Sequence, residues 1–543
     1  MKRFLSVLLT VCMVFGLCAV GVSASDDTLK LIVASDLHWQ KFDRIDSARF
    51  YHPRNDLGQV SAISVPVVAR FLEEAAESDA DCILMSGDLT NMGTPDDARA
   101  FAAILADFES ETGKQIYVID GNHDVDMRED VGPGDCSPAT FKEIYHAFGY
   151  DEALAVDGKT ASYTADLPGG YRLLAIDSNK WEGSGDGVVS DELMAWIETQ
   201  VRAAQADGRK IIAMMHHHIM EHFPLEQRID GFYICDNYKD ICKKFAQWDI
   251  RVTFTGHLHV GDIAEYNGKN KIYDVTTASL SSYPLSYRYA SFTDEAITFE
   301  SRYLESLDAS LLPEGYSEAQ REMIANDPIG YANGCLTDSL VVDYINGFVE
   351  PDALIGKLGL EPDSVIAELI RRIMPEVMLP LYGEGNTVQT QAEALGVELP
   401  ASDYETVGDL ITAFFAAFTR GDENVGGNSP EGKLFLDAAY TLFATKLAQE
   451  SDVVRVALAT KIAAQLGLKT IDNALTRTAI DLLLMNLLVD KAPADNDLTI
   501  PGYGVKRTAS LWNRLTSFLR RVFDFIRRVL AFSFAGAADA TVS

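Results

Sequence analysis

Short apolar runs recur through the first half of the chain, and each stops abruptly at polar residues. LKLIVAS, DCILMS, QIYVID, YRLLAID, KIIAMM and RVTFT have the length and β-branched content of buried strands. Between them apolar positions return at helical spacing over roughly residues 62–78, 95–110, 138–148, 190–206 and 236–248. Strands alternating with helices of this length predict an α/β domain of βαβ units over residues 25–305. From about Ser306 helical periodicity takes over, in SEAQREMIAN, PDSVIAELIRRIMPEVM, TVGDLITAFFAAFTR and the Ala/Leu-rich stretch from Lys433 to about Leu488. This predicts an all-α accessory domain over 306–505, with loops at the polar breaks GEGNTVQTQ, GDENVGGNSPEG and DKAPADNDLTIPGYG.

Both ends carry patterns of their own. Residues 1–24 begin with Lys2 and Arg3, continue as an apolar run and reach Val22-Ser23-Ala24, which reads as a secretory signal peptide. An uncleaved N-terminal anchor is the other reading of that run. Leu17 stands before Cys18 where a lipidation signal needs a small residue, so no lipid is expected there. The expected location is therefore outside the cell or in its envelope. At the other end, residues 506–543 form a basic amphipathic helix and tail: Lys506 to Phe534 holds seven basic residues against one acid, Asp524. Arg514, Arg521 and Arg528 recur at seven residues, as do Arg520 and Arg527, while Leu511, Leu515, Phe518, Leu519, Val522, Ile526 and Val529 fill the opposite side. Such a helix suits an anionic membrane surface. Docking on the helical domain or on another subunit is the alternative.

At 543 residues the chain needs two or three domains. Its formal charge of −34, which cleavage of the leader would take to −36 by removing Lys2 and Arg3, disfavours a nucleic-acid scaffold role. Five cysteines beyond the leader make no disulfide framework. Cys82 reads as a small core residue, and Cys235 and Cys242 as either a pair or two free thiols.

The strand exits hold the chemistry. They are Asp36-Leu-His38, Gly87-Asp88, Gly121-Asn122-His123-Asp124, His216-His217-His218 and Gly256-His257-Leu-His259. All ten histidines lie at or before His259 and seven fall inside these motifs, so the second half has no imidazole to offer. In open α/β sheets ligands bind beyond the carboxyl ends of strands, so five exits can converge on one crevice. Carboxylate, amide and imidazole donors suit Mn, Fe or Zn, and two such ions about 3.5–4 Å apart can activate a water and stabilise an in-line displacement at phosphorus. A carboxylate must bridge two dications to reduce their repulsion, and Asp88, alone after its glycine, is the candidate.

In their order and context the five motifs resemble the calcineurin-like metallophosphoesterase superfamily over roughly residues 29–300. LLAIDS, followed by a helix containing Glu and Trp, is similar to the bacterial branch related to cyclic-nucleotide phosphodiesterases. The resemblance implies a two-sheet β sandwich flanked by helices. It also implies a secreted bacterial enzyme that hydrolyses a phosphomonoester or phosphodiester with a hydroxide activated between two divalent metal ions. Asp36, His38 and His259 would hold the first metal, Asp88 would bridge, and Asn122, His216 and His257 would hold the second. His123 and Asp88 would be the catalytic residues, His123 acting beside the phosphate without binding metal. His217 is an alternative to His216. Asp124, Asp177 and Asp262 would orient imidazoles or cap loops. Tyr283 and Arg288, in the stretch after the last motif, would meet a phosphate or a base, or serve the fold. A non-catalytic, metal-stabilised envelope binding or adhesion protein is the competing function.

Overall fold

The computed structural model describes residues 28–41, 58–125, 136–180, 185–223, 226–229, 231–337, 351–357, 361–363, 365–421, 429–448 and 493–505. The leader-like segment 1–24 and the basic segment 506–543 lie outside these residues.

The apolar runs form strands in two mixed sheets. In the first, β1 (Leu29–Ala34), β2 (Cys82–Ser86) and β3 (Gln115–Ile119) are parallel neighbours. The antiparallel strands β11 (Ser286–Phe292) and β12 (Ala296–Tyr303) extend the sheet beyond β1. The second sheet runs β4 (Ala155–Val156), β5 (Tyr163–Leu167), β6 (Tyr171–Ile176), β7 (Lys210–Met215), β8 (Val252–Thr255), β10 (Lys271–Thr276) and β9 (Ile263–Asn267). Strands β6, β7, β8 and β10 are parallel there, with antiparallel partners at both sides.

Side chains alternate across each strand, and this sorts the core. Leu173, Ile212, Met214, Val252 and Phe254 face inward and join Leu31, Leu84, Val118 and Phe292 in one core between the sheets. Their sequence neighbours Leu174, Ile176, Ile211, Ala213 and Met215 face outward, under α4 (Asp191–Ala206) and α5 (Tyr238–Trp248). The first sheet is covered by α1 (Ser64–Glu77), α2 (Pro95–Thr112) and α3 (Pro138–Ile144), whose Phe71, Phe101, Leu105 and Phe141 are fully buried. The result is the expected two-sheet sandwich flanked by helices.

Beyond β12 the described chain is helical through α6 (Glu318–Asn326), α7 (Pro328–Leu336), α8 (Pro351–Lys357), α9 (Val365–Ile373), α10 (Val388–Leu395), α11 (Val407–Arg420) and α12 (Pro430–Ala448). A separate small core of Leu381, Val407, Leu410, Phe414, Leu434 and Leu442 holds the later helices together. Two features depart from the expected helical region with loops at its polar breaks. Thr387, inside one such break, caps α10 by a reciprocal pair of hydrogen bonds with Thr390, so the helix starts within that break. More consequentially, β13 (Asp497–Pro501) returns to the first sheet and pairs with β12 from Ala296↔Pro501 to Glu300↔Asp497. No described helix is long and apolar enough to cross a membrane.

Candidate metal centre

All five motifs sit where parallel strands end: three at the carboxyl ends of β1, β2 and β3, two at those of β7 and β8. The chain turns sharply at each. Asp36, His38, Asp88, His257 and His259 have φ of 52°, 42°, 49°, 68° and 61°, the left-handed region that costs a residue with a Cβ about 1–2 kcal/mol. The glycines beside them are required by close approach. A Cβ on Gly121 would collide with the Asp88 carboxylate, and one on Gly256 with the Ser35 hydroxyl and Asp36 Oδ2.

Backbone hydrogen bonds knit the motifs together. The N–H groups of Asp36 and His38 donate to Gly87 O and Asp88 O at 3.1 and 3.0 Å, and Gly256 N–H donates to His216 O at 3.0 Å. Each carboxylate is held by one oxygen only. Asp36 Oδ2 accepts from His257 N–H at 2.9 Å, and Asp88 Oδ1 accepts from His123 N–H at 2.7 Å. The other oxygens, Asp36 Oδ1 and Asp88 Oδ2, are buried among imidazoles and have no hydrogen-bond donor aligned on them. His259 Nε2 is 3.2 Å and His38 Nε2 3.8 Å from Asp36 Oδ1; His216 Nε2 is 3.2 Å and His38 Nε2 3.7 Å from Asp88 Oδ2. Asn122 Oδ1 is 3.1 Å from His216 Nε2. Donor atoms within 4.8 Å of one another thus form three overlapping groups among the described residues: Asp36, His38 and His259; Asp88, His216 and His257; and His38, Asp88 and His123.

Neighbouring carbonyls fix the rings. His216 Nδ1 lies 2.9 Å from Ser86 O, which leaves Nε2 for the centre. His257 Nε2 lies 3.3 Å from Phe232 O, which leaves Nδ1. His217 spends both nitrogens elsewhere, on Ser178 Oγ at 2.9 Å and Gly185 O at 2.8 Å, so of the two adjacent histidines it is His216 that faces the cluster. His123 contributes no nitrogen to the pairs around Asp36. Its Nδ1 is 2.9 Å from Asn91 O, and its ring stands edge on to His38 with centroids 4.7 Å apart.

Electrostatics sort the same groups. Burial would raise the Asp88 carboxyl, but His216 and His123 hold it well below the ordinary range; Asp36, opposed in the same way by burial, is lowered by His259 and His216. Burial pushes His38 down to about 3, helped by His123, and drives His257 well below its ordinary value, helped by His217 and His216. Only His216 moves the other way: against the effect of burial, Asp88 and Asp36 raise it to about 9. Two ionised carboxylates with mostly neutral imidazoles are the protonation pattern that divalent cations require.

The sequence from residue 29 to 261 matches the family described as calcineurin-like phosphoesterase. Over that stretch, a little under half of its length, the chain is similar to this family. A protein of Rhodococcus erythropolis named as a probable cyclic nucleotide phosphodiesterase is 25% identical over 189 residues, 35% of this chain. The chain spans about half the length of that relative, 54%. Among solved structures, a dimetal phosphatase from Danio rerio is similar with a TM-score of 0.37 at 10% identity, covering 51% of this chain and 96% of that one. A purple acid phosphatase from yellow lupin (Lupinus luteus) seeds gives 0.34 at 14% identity, covering 51% of each.

Around this centre several residues take roles that the sequence leaves open or hides. Asp124 accepts from the N–H groups of Leu89, Thr90 and Gly121 at 2.9, 2.8 and 3.0 Å, so it shapes the loops of Asp88 and Asn122 and orients no imidazole. Asp177 accepts from the Ala161 and Asn179 N–H groups and likewise serves the backbone. Asp262 pairs with His222 Nδ1 at 2.7 Å, and Asp274 Oδ2 lies 3.4 Å from the other nitrogen of that buried ring. Arg288 is 1% exposed and bonds the carbonyls of Thr276, Asp262 and Asp495, a role in the fold and not at a phosphate. Tyr283 is nearly buried and meets Arg420 at the end of α11. Cys235 and Cys242 are separate buried thiols, with Cys242 Sγ donating to Ile219 O at 2.7 Å.

Phe232 has no counterpart among the sequence motifs. Its ring lies 4.8 Å from that of His257, borders Gly185 beside Asn122, and is 39% exposed. An open aromatic face therefore flanks the side of the centre formed by Asn122 and His257.

Proposed function

We propose that the centre holds two divalent cations and hydrolyses a phosphate ester. Asp36, His38 and His259 would hold one ion, Asn122, His216 and His257 the other, and Asp88 both. The observation that carries this reading is the pair of half-anchored carboxylates: one oxygen of Asp36 and of Asp88 is fixed by backbone, the other is buried and faces only imidazole nitrogens, 3.2 Å away at the nearest. Two carboxylates ionised side by side in a buried site carry a desolvation cost that bound cations offset. When bound, two such ions supply Lewis acidity toward phosphate oxygens and a water acidified near neutral pH.

The chain's own groups divide the remaining work. Asn122 and the imidazoles, fixed by Ser86 O, Asn91 and Phe232 O, define where the phosphate sits. His123 Nδ1 is engaged by Asn91 O, which leaves Nε2 to donate a proton or hydrogen bond to a leaving oxygen. The enzyme reading is favoured over a binding protein because His123, held by Asn91 O through Nδ1, adds a further imidazole beside Asp88 and His38 beyond the donors assigned to the two ions. The similarity to the Rhodococcus probable cyclic nucleotide phosphodiesterase makes a phosphodiester the first substrate to try.

The test is hydrolysis of 4-nitrophenyl phosphate and bis(4-nitrophenyl) phosphate by full-length protein reconstituted with Mn²⁺, Fe²⁺ or Zn²⁺, with elemental analysis alongside. Two ions per chain and chelator-sensitive turnover are expected. Uptake of two ions without hydrolysis of either ester would favour the binding protein. Action outside the cytoplasm, and contact of 506–534 with anionic lipid, belong to this reading on the sequence patterns alone.

A further inference from the structure

The loop after β8 delivers two ligating imidazoles, His257 and His259, and its backbone is left-handed at both, with φ of 68° and 61°. Such conformations persist only where the surroundings over-determine them. On the near side the loop is tied to the sandwich, through Gly256 N–H to His216 O and His257 N–H to Asp36 Oδ2. On the far side its anchors come from the C-terminal region. Gly261 N–H donates to Thr419 O, in α11, at 3.0 Å. Ile263 N–H donates to Asp495 Oδ1 at 3.1 Å.

These anchors are parts of one junction. Asp495 is fully buried, and its carbonyl accepts from the guanidinium of Arg288, which also bonds Thr276 O at 2.8 Å and Asp262 O at 3.4 Å. A Cβ on Gly421 would meet Asn496 Nδ2, Asp495 Cβ and Gly261 O within 2.5 to 3.0 Å, so residues 261, 421 and 495–496 come together at one point. Asn496 then accepts from Ser301 N–H and Tyr303 O–H, both at 2.9 Å, and β13 follows along β12. Farther on, Tyr503 O–H donates to Ile211 O at 2.8 Å, and Arg251 bonds Gly502 O at 2.7 Å. The segment 495–503 thus runs from the ligand loop along the edge of the first sheet to the base of β7 and β8.

We propose that Asp495 is a positioning residue for His257 and His259, so that docking of the C-terminal segment and occupancy of the metal centre are coupled. The inference rests on the metal-binding part of the proposed function. Asp495 touches no ligand atom. It fixes the backbone four residues beyond His259, and with Thr419 it stops that loop from relaxing out of its left-handed turns. Coupling is reciprocal: what the clamp does for the metal, the metal does for the clamp.

The test uses the full chain in metal-free form, titrated calorimetrically with Zn²⁺ or Mn²⁺. Removing a partner behind a ligand typically weakens metal binding about 10- to 100-fold, and Asp495→Ala is expected to fall in that range. Asp495→Asn keeps an acceptor for Ile263 N–H and should recover most of the affinity. A merely structural role would lower the melting temperature of Asp495→Ala and leave the dissociation constant of the folded protein unchanged, which overturns the proposal. Hydrogen exchange of the wild-type chain is a second measurement that needs no variant. Addition of metal should slow exchange at Gly261, Ile263 and the amides of β13, and equal rates with and without metal overturn the coupling. Wild-type protein that takes up no metal refutes the proposed function itself. Wild-type uptake with an indifferent Asp495→Ala refutes only this inference.

Discussion

Metal uptake near neutral pH should release about one proton per chain, and that proton should come from His216. Asp88 and Asp36 raise this imidazole to about 9 although burial opposes the charge, whereas burial and neighbouring rings keep His38 and His257 neutral and both carboxylates are already ionised. At pH 7 the ring is two units below its midpoint, so roughly 1% of it is free to ligate, a penalty on the order of 3 kcal/mol. Apparent affinity should therefore rise about tenfold per pH unit up to about 9 and then level off. Stability of the metal-free chain should move the opposite way. A folded midpoint raised above the unfolded 6.5 contributes stability that is complete below pH 6.5 and lost as pH climbs through about 9. Calorimetric titrations at pH 7 in buffers of different ionisation enthalpy count the protons directly, and dissociation constants from pH 6 to above 9 give the slope. A proton count near zero, or an affinity flat across that interval, would refute the argument.

Three further outcomes follow from named residues. Asp88→Ala should lower both metal content and turnover, whereas His123→Ala should keep most of the metal and lose about 10²- to 10⁴-fold in turnover, since it supplies a proton and no ligand; an emptied site in His123→Ala would show that it binds metal. Phe232→Ala should raise KM for phenyl or nucleotide esters several-fold, by loss of about 1 kcal/mol of stacking, and leave alkyl phosphates unchanged; equal effects on both ester types would remove Phe232 from substrate recognition. Deleting 506–543 should abolish co-sedimentation with anionic liposomes, each basic residue contributing about 1 kcal/mol, while turnover of a small soluble ester stays the same; lost turnover with full metal content would place the tail at the catalytic domain.

Much of the two-sheet half is legible in the sequence because burial writes a period into it. The helix expected at 95–110 is Pro95–Thr112 and that at 190–206 is Asp191–Ala206, each with a Thr or Ser cap on the N-terminal side. The exits of β1, β2, β3, β7 and β8 carry the polar motifs because a strand end is where backbone leaves the sheet and side chains can turn inward. Long-range partnerships left no such trace. Strand β13 reads as part of a polar break, since five residues with only Leu498 and Ile500 apolar have no period to detect. Arg288 looks available to a phosphate until its carbonyl partners are known, two of them supplied by Asp262 and Asp495. Whether His216 or His217 faces the centre depends on Ser178 and Gly185, to which His217 is bonded. Phe232 is visible only once the chain brings it over His257.

The pairing of β1 with β11, Leu29 opposite Phe292, also bears on when the protein can acquire metal. A nascent chain emerges from the amino end, so Asp36 and His38 are made more than two hundred residues before His257 and His259. Strand β1 cannot be completed on its β11 side until the return hairpin has been synthesised. Ion selection is therefore deferred to the place where folding finishes. Since divalent affinities of such donors follow a fixed order across metals, an ion bound at the proposed centre would reflect availability where folding ends as much as the ligands themselves.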